Sequence, residues 1–152
     1  MGNFFGSIYC WFESFFGIEL ADYLWGVSSS QSNTNQFIGI GLWMLGISLF
    51  TVILYYYIIN HPRLCSWWGW GIFLLLNAVI NFFVGWQWVL ADSYEGKMVT
   101  FDPSTNLEVP LNISSSEMLC FGVSNMILSI LAFSLFTLCL KWWSKNCSSA
   151  PF

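Results

Sequence analysis

Between Asp22 and Asp92 the chain carries one charged side chain, Arg63, and it stands in a short gap between two long apolar runs. Residues 37–60, 64–91 and 118–140 hold no formal charge at all. Each run exceeds the ~20 residues that a helix needs to cross a ~30 Å hydrocarbon core. An uninterrupted apolar run of that length has few soluble solutions, since a water-facing helix needs a polar side. The pattern therefore reads as an all-α integral membrane protein with three transmembrane helices.

Composition supports the same class. The 152 residues are 57% hydrophobic and 8% charged, against roughly 25% charged in ordinary soluble domains. The spans and their connections use nearly the whole length, so residues 1–152 read as a single membrane domain. Its parts are an N-terminal helix over 3–26, a polar linker over 27–36, transmembrane helices over 37–60, 64–91 and 117–141, an extracytoplasmic loop over 92–116, and a tail over 142–152. Eight acids against four bases, with no basic cluster, give no footing for nucleic acid, and membrane lipid is the expected surrounding.

Orientation follows from where the bases fall. His61 and Arg63 lie between the first two spans, while Lys141 and Lys145 follow the third. With alternating spans these share one face, which the positive-inside tendency assigns to the cytoplasm of a plasma or inner membrane, and the C-terminus with it. Aromatic residues mark the span limits: Trp67, Trp68 and Trp70 open the second span and Trp86 and Trp88 close it. Trp68 to Trp86 measures roughly 27 Å at 1.5 Å per residue.

Residues 3–26 read as an amphipathic helix lying in the membrane interface. At helical spacing Phe4, Ile8, Trp11, Phe12, Phe15 and Phe16 form an apolar face, opposite Gly6, Ser7, Cys10, Glu13, Ser14 and Gly17. Glu13, Glu19 and Asp22 argue against a full crossing, because an acid at mid-membrane costs ~2.5–3.5 kcal/mol. The alternative is a bundle of four transmembrane helices in which Glu13 is an intramembrane carboxylate. No basic residue precedes the segment and no small-residue cleavage site follows it, so it is expected to be uncleaved, and Ser7 falls one position too late for the myristoylation pattern.

In the outer loop, two strand-like runs at 97–101 and 107–111 flank Asp102-Pro103-Ser104-Thr105-Asn106, a turn sequence, which predicts a small β-hairpin. Ser114 and Glu117 have capping-box spacing, so the third helix should begin near Ser115. Asn112-Ile113-Ser114 also matches a glycosylation acceptor.

Polar residues inside the apolar runs are the candidate site. Asn77 and Asn81 stand one helical turn apart, with Gly69 and Gly85 on the same face at multiples of four. Gly122, Asn125, Ser129 and Ala132 form a matching stripe on the third span. Such stripes pack membrane helices closely. Because the second and third spans run in opposite directions, Asn81 should lie level with Asn125 and Asn77 with Ser129, and an Asn81–Asn125 hydrogen bond is expected. Gly39 and Gly46 offer a smooth face on the first span. The competing reading places Asn77 and Asn81 in a lumen.

Chemistry-bearing sets are sparse. His61 is the sole histidine, and Cys10, Cys65, Cys120, Cys139 and Cys147 show no CxxC spacing, so no metal or cofactor is expected. No acid–base, nucleophile or phosphate-loop constellation suggests an enzyme. The expected function is a non-enzymatic membrane component, a homo-oligomer or a subunit of a membrane complex, assembling through small and polar helix faces. The alternatives are a homo-oligomeric channel and a membrane-embedded inhibitor or immunity protein.

Overall fold

The computed structural model describes residues 2–26, 35–59, 66–102 and 107–143. In chain order these form α1 (Gly2–Cys10), α2 (Glu13–Phe16), α3 (Ile18–Trp25), α4 (Gln36–Ile53), a π-helical turn (Leu54–Ile59), α5 (Trp67–Tyr94), β1 (Val99–Asp102), β2 (Leu107–Pro110), α6 (Ser115–Leu140) and a 3-10 turn (Lys141–Trp143). Among the described residues, three helices are long and apolar enough to cross a membrane: Gln36–Ile59, Trp67–Tyr94 and Ser115–Leu140. They correspond to the three runs read from the sequence. The connection holding His61 and Arg63, most of the 27–36 linker, the tip of the hairpin turn, and the tail beyond Trp143 lie outside the described residues.

Residues 3–26 do not form one helix. The chain turns at Trp11 and Phe12 and again at Gly17, leaving three short helices of which the longest has nine residues. Nine residues span about 14 Å, less than half of a hydrocarbon core. Gly17 explains the second break, for its φ of 97° and ψ of 144° are closed to most side chains. Both the continuous interfacial helix and the continuous fourth span are therefore corrected to a broken segment.

Contacts divide the chain into two units, residues 1–42 with 83–124 and residues 43–82 with 125–152. In the first, the N-terminal helices pack on the adjoining parts of α4, α5 and α6. Tyr9 stacks between Phe37 (ring centroids 5.1 Å apart) and Phe121 (5.6 Å), Phe16 meets Phe121 edge-on, and Trp25 meets Phe37 likewise. Close approach depends on two glycines. A Cβ at Gly6 would run into the Trp25 ring, and one at Gly41 would run into the Phe5 ring. The expected outer face survives the break in part: Phe4, Trp11 and Phe15 are exposed, whereas Phe16 is buried.

The hairpin forms as expected, antiparallel, with Val99 opposite Pro110 and Asp102 opposite Leu107. The capping box closes reciprocally. Ser114 donates its main-chain N–H to Glu117 Oε2 at 2.7 Å, and the Glu117 N–H donates to Ser114 Oγ at 3.3 Å, so α6 starts at Ser115.

In the second unit, Val52, Tyr55, Tyr56 and Phe133 form the core, with Trp70, Phe73 and Phe136 packed against it. The wider π-helical turn places the consecutive Tyr55 and Tyr56 both inside, 4.7 Å apart and edge to face. Tyr57 reaches the end of α6, donating to Leu140 O at 3.1 Å.

Candidate functional site

The second unit contains the stripe of polar groups. Asn77, Asn81, Asn125 and Ser129 are each 0% exposed. Asn77 Nδ2 donates to Ser129 O at 3.2 Å, and Asn125 Nδ2 donates to Asn81 O at 2.7 Å. Trp70 Nε1 donates to Thr137 Oγ1 at 3.3 Å. As the residue number rises along α5, that of its partner falls along α6, the signature of antiparallel helices in register.

The expected Asn81–Asn125 hydrogen bond forms, with a main-chain carbonyl as its acceptor. Asn125 bonds to the main-chain carbonyl of Asn81, whose second lone pair remains available after the helical hydrogen bond is made. The Asn81 side chain instead turns along its own helix and donates to Asn77 O at 3.0 Å and Asn77 Oδ1 at 3.1 Å. Ser129 likewise contributes its carbonyl, since its hydroxyl donates to Met126 O at 2.7 Å within α6. Short side chains held against a neighbouring backbone bring helices closer than paired side chains would. Ser48 Oγ and Asn81 Oδ1 are buried with no hydrogen-bond partner among the described residues.

The glycines divide in role. Gly69 lies buried in this unit, and Gly85 and Gly122 lie buried in the other. Of the two glycines expected to offer a smooth face, Gly39 meets the Trp88 ring at ordinary contact distance, 3.4 Å, while Gly46 has nothing within 4 Å of where a Cβ would stand. Gly46 instead lines an apolar groove of about 490 Å³ with Trp43, Ile47, Phe50, Leu76 and Ile80.

The first unit holds a network that the sequence reading missed. Trp88 Nε1 donates to Gln36 Oε1 at 3.1 Å, Gln36 Nε2 donates to Tyr23 Oη at 3.3 Å, and Tyr23 Oη donates to Asp92 Oδ2 at 3.0 Å. Lys97 Nζ lies 3.7 Å from Asp92 Oδ1 and pairs with Glu95. One relay thus ties α3, α4 and α5 to the approach to β1. The loop expected from residue 92 begins later, since α5 continues to Tyr94 and carries Asp92, which is 8% exposed. The available signal was that Gln36 and Asp92 both stand at ends of apolar runs, where polar side chains can reach across. Trp70 and Trp88, read as members of aromatic belts, turn their indole N–H groups to internal acceptors, whereas Trp67 and Trp68 are exposed.

Burial pushes the Tyr23 hydroxyl up to about 12, with the Asp92 carboxylate adding to the rise and the Gln36 hydrogen bond opposing it. The folded state therefore holds this proton more tightly than the unfolded chain, whose phenol titrates near ~10. Its contribution to stability is complete below pH ~10 and is lost as pH rises towards about 12. Thermal unfolding scans across that window should show a steeper alkaline loss for the wild type than for Tyr23→Phe. Identical pH slopes would exclude Tyr23 as the group responsible.

Glu13 is half-buried at the start of α2 and lines two shallow recesses, one with Cys10, Asp22 and Trp25 and the other with Glu19, Asn112 and Glu117. Burial and then the nearby Glu13 carboxylate raise the Cys10 thiol above its ordinary value. Among the described residues, no group of three His, Cys, Asp or Glu side chains is placed to hold a metal ion. No protein-family model matches the chain, and no curated protein or solved structure shows significant similarity to it.

Proposed function

We propose that this chain is a non-enzymatic integral membrane component that assembles with copies of itself or with larger subunits, its C-terminus on the cytoplasmic side of a plasma or inner membrane. The observation that carries this reading is how little of each candidate span the chain covers by itself. In their most apolar stretches, 39% of Gln36–Ile59, 28% of Trp67–Tyr94 and 39% of Ser115–Leu140 is buried. The remainder is apolar, with Trp43, Phe50, Leu75 and Leu135 all more than half exposed. Such a surface suits lipid and partner helices and does not suit water.

The polar stripe enters this proposal in a revised role. Its asparagines are spent on bonds inside the second unit, so the surface offered to partners is the apolar one. A lumen lined by Asn77 and Asn81 would require both to abandon those bonds. The exposed Phe4, Trp11, Phe15 and Ile18 of the N-terminal helices suit the membrane interface, with Glu19 and Asp22 kept near water.

Native mass spectrometry of the protein released from lipid nanodiscs tests the assembly. A discrete homo-oligomer whose fraction rises with protein-to-lipid ratio is the expected result. A chain that stays monomeric at every ratio, in nanodiscs and in mild detergent alike, would sink self-assembly.

A further inference from the structure

Two buried side-chain oxygens of the second unit have no hydrogen-bond partner among the described residues, and helix register brings their positions on α4 and α5 to one level. Ser48 Oγ and Asn81 Oδ1 are both buried and unbonded, in residues that are 0% exposed. Tyr55 packs on Phe73 with ring centroids 5.1 Å apart. Two helical turns back from Tyr55 lies Ser48, and two turns on from Phe73 the chain reaches Ile80 and Asn81. Ile47 and Ile80 line one groove, and the next residue on each helix, Ser48 and Asn81, is buried.

We propose that Ser48 and Asn81 hold a buried water molecule at the junction of α4 and α5. A buried oxygen left unbonded costs about 1–3 kcal/mol. Rotating the Asn81 amide offers no relief, because its nitrogen is the donor to Asn77 O and Oδ1, and exchange would set oxygen against oxygen. A water supplies what the protein lacks. It donates to Asn81 Oδ1 and, through its other hydrogen or a lone pair, meets the Ser48 hydroxyl, bridging groups too far apart to bond directly. No carboxylate belongs to the hydrogen-bonded set of Asn77, Asn81, Asn125 and Ser129, which favours a neutral ligand over a cation.

The site is independent of assembly state, so its test does not share a failure with the oligomer experiment. In isotope-labelled protein in nanodiscs, rotating-frame cross-relaxation should connect the water resonance with the Asn81 side-chain amide protons. In Ser48→Ala that signal should be lost or strongly reduced. An assigned Asn81 amide with no water signal in the wild type would overturn the proposal, whatever the variant does. Exchange of sodium for choline should change neither the signal nor the melting temperature. A sodium-dependent shift in either would overturn the water reading in favour of a cation.

Discussion

Asn77→Asp should lower stability by about 3 kcal/mol or more at neutral pH. Asn77 is 0% exposed and uses both ends of its amide: Oδ1 accepts from Asn81 Nδ2, and Nδ2 donates to Ser129 O. Aspartate keeps the acceptor and replaces the donor with a second oxygen aimed at the Ser129 carbonyl. The carboxylate then has neither water nor a donor on that side. Protonation restores a donor, so the folded state holds this proton more tightly than the unfolded chain does. Stability should therefore recover as pH falls towards and below the ordinary carboxylate range. Asn77→Leu, which only removes the bonds, should cost about 1–2 kcal/mol and show no such pH dependence. Equilibrium unfolding in mixed detergent at several pH values measures both. An Asn77→Asp protein as stable as the wild type at neutral pH would mean that the site is open to water, as a lumen would be.

That contrast shows what a linear sequence makes legible. The charge-free runs specify three candidate spans because length and apolarity suffice to define them, and the α5 and α6 stripes follow from helical spacing. The capping box at Ser114 and Glu117 is local and equally readable. Acceptor identity is not, since an asparagine facing another helix meets a carbonyl as readily as an amide and the choice depends on interhelical distance. The relay from Trp88 through Gln36 and Tyr23 to Asp92 joins residues far apart in the chain, and no spacing rule links them. The broken N-terminal segment lay between these cases. Gly17 is visible as a small residue, but neither its positive φ nor the Glu117 carboxylate 2.8 Å from where a Cβ would stand is written in the local sequence.

Gly41→Ala and Gly46→Ala should have opposite effects although both lie on α4 and make the same chemical change. In a helix interior, alanine is favoured over glycine by roughly 0.5–1 kcal/mol. At Gly46 nothing lies within 4 Å of the added methyl, so that gain should appear as a small stabilisation. At Gly41 the methyl would collide with Cδ1, Cε1 and Cγ of Phe5. Cγ is the root of the ring, and Phe5 is itself 8% exposed, so a rotamer change alone cannot clear the space. Overpacking of this kind costs ~1–3 kcal/mol and outweighs the helical gain. The damage should concentrate where Phe5 resides. Hydrogen exchange should accelerate across residues 2–16 in Gly41→Ala and remain unchanged there in Gly46→Ala. Adding Phe5→Ala to Gly41→Ala should remove the clash and restore part of the melting temperature. Equal exchange and equal stability in the two glycine variants would show that α1 does not dock through Phe5 on Gly41.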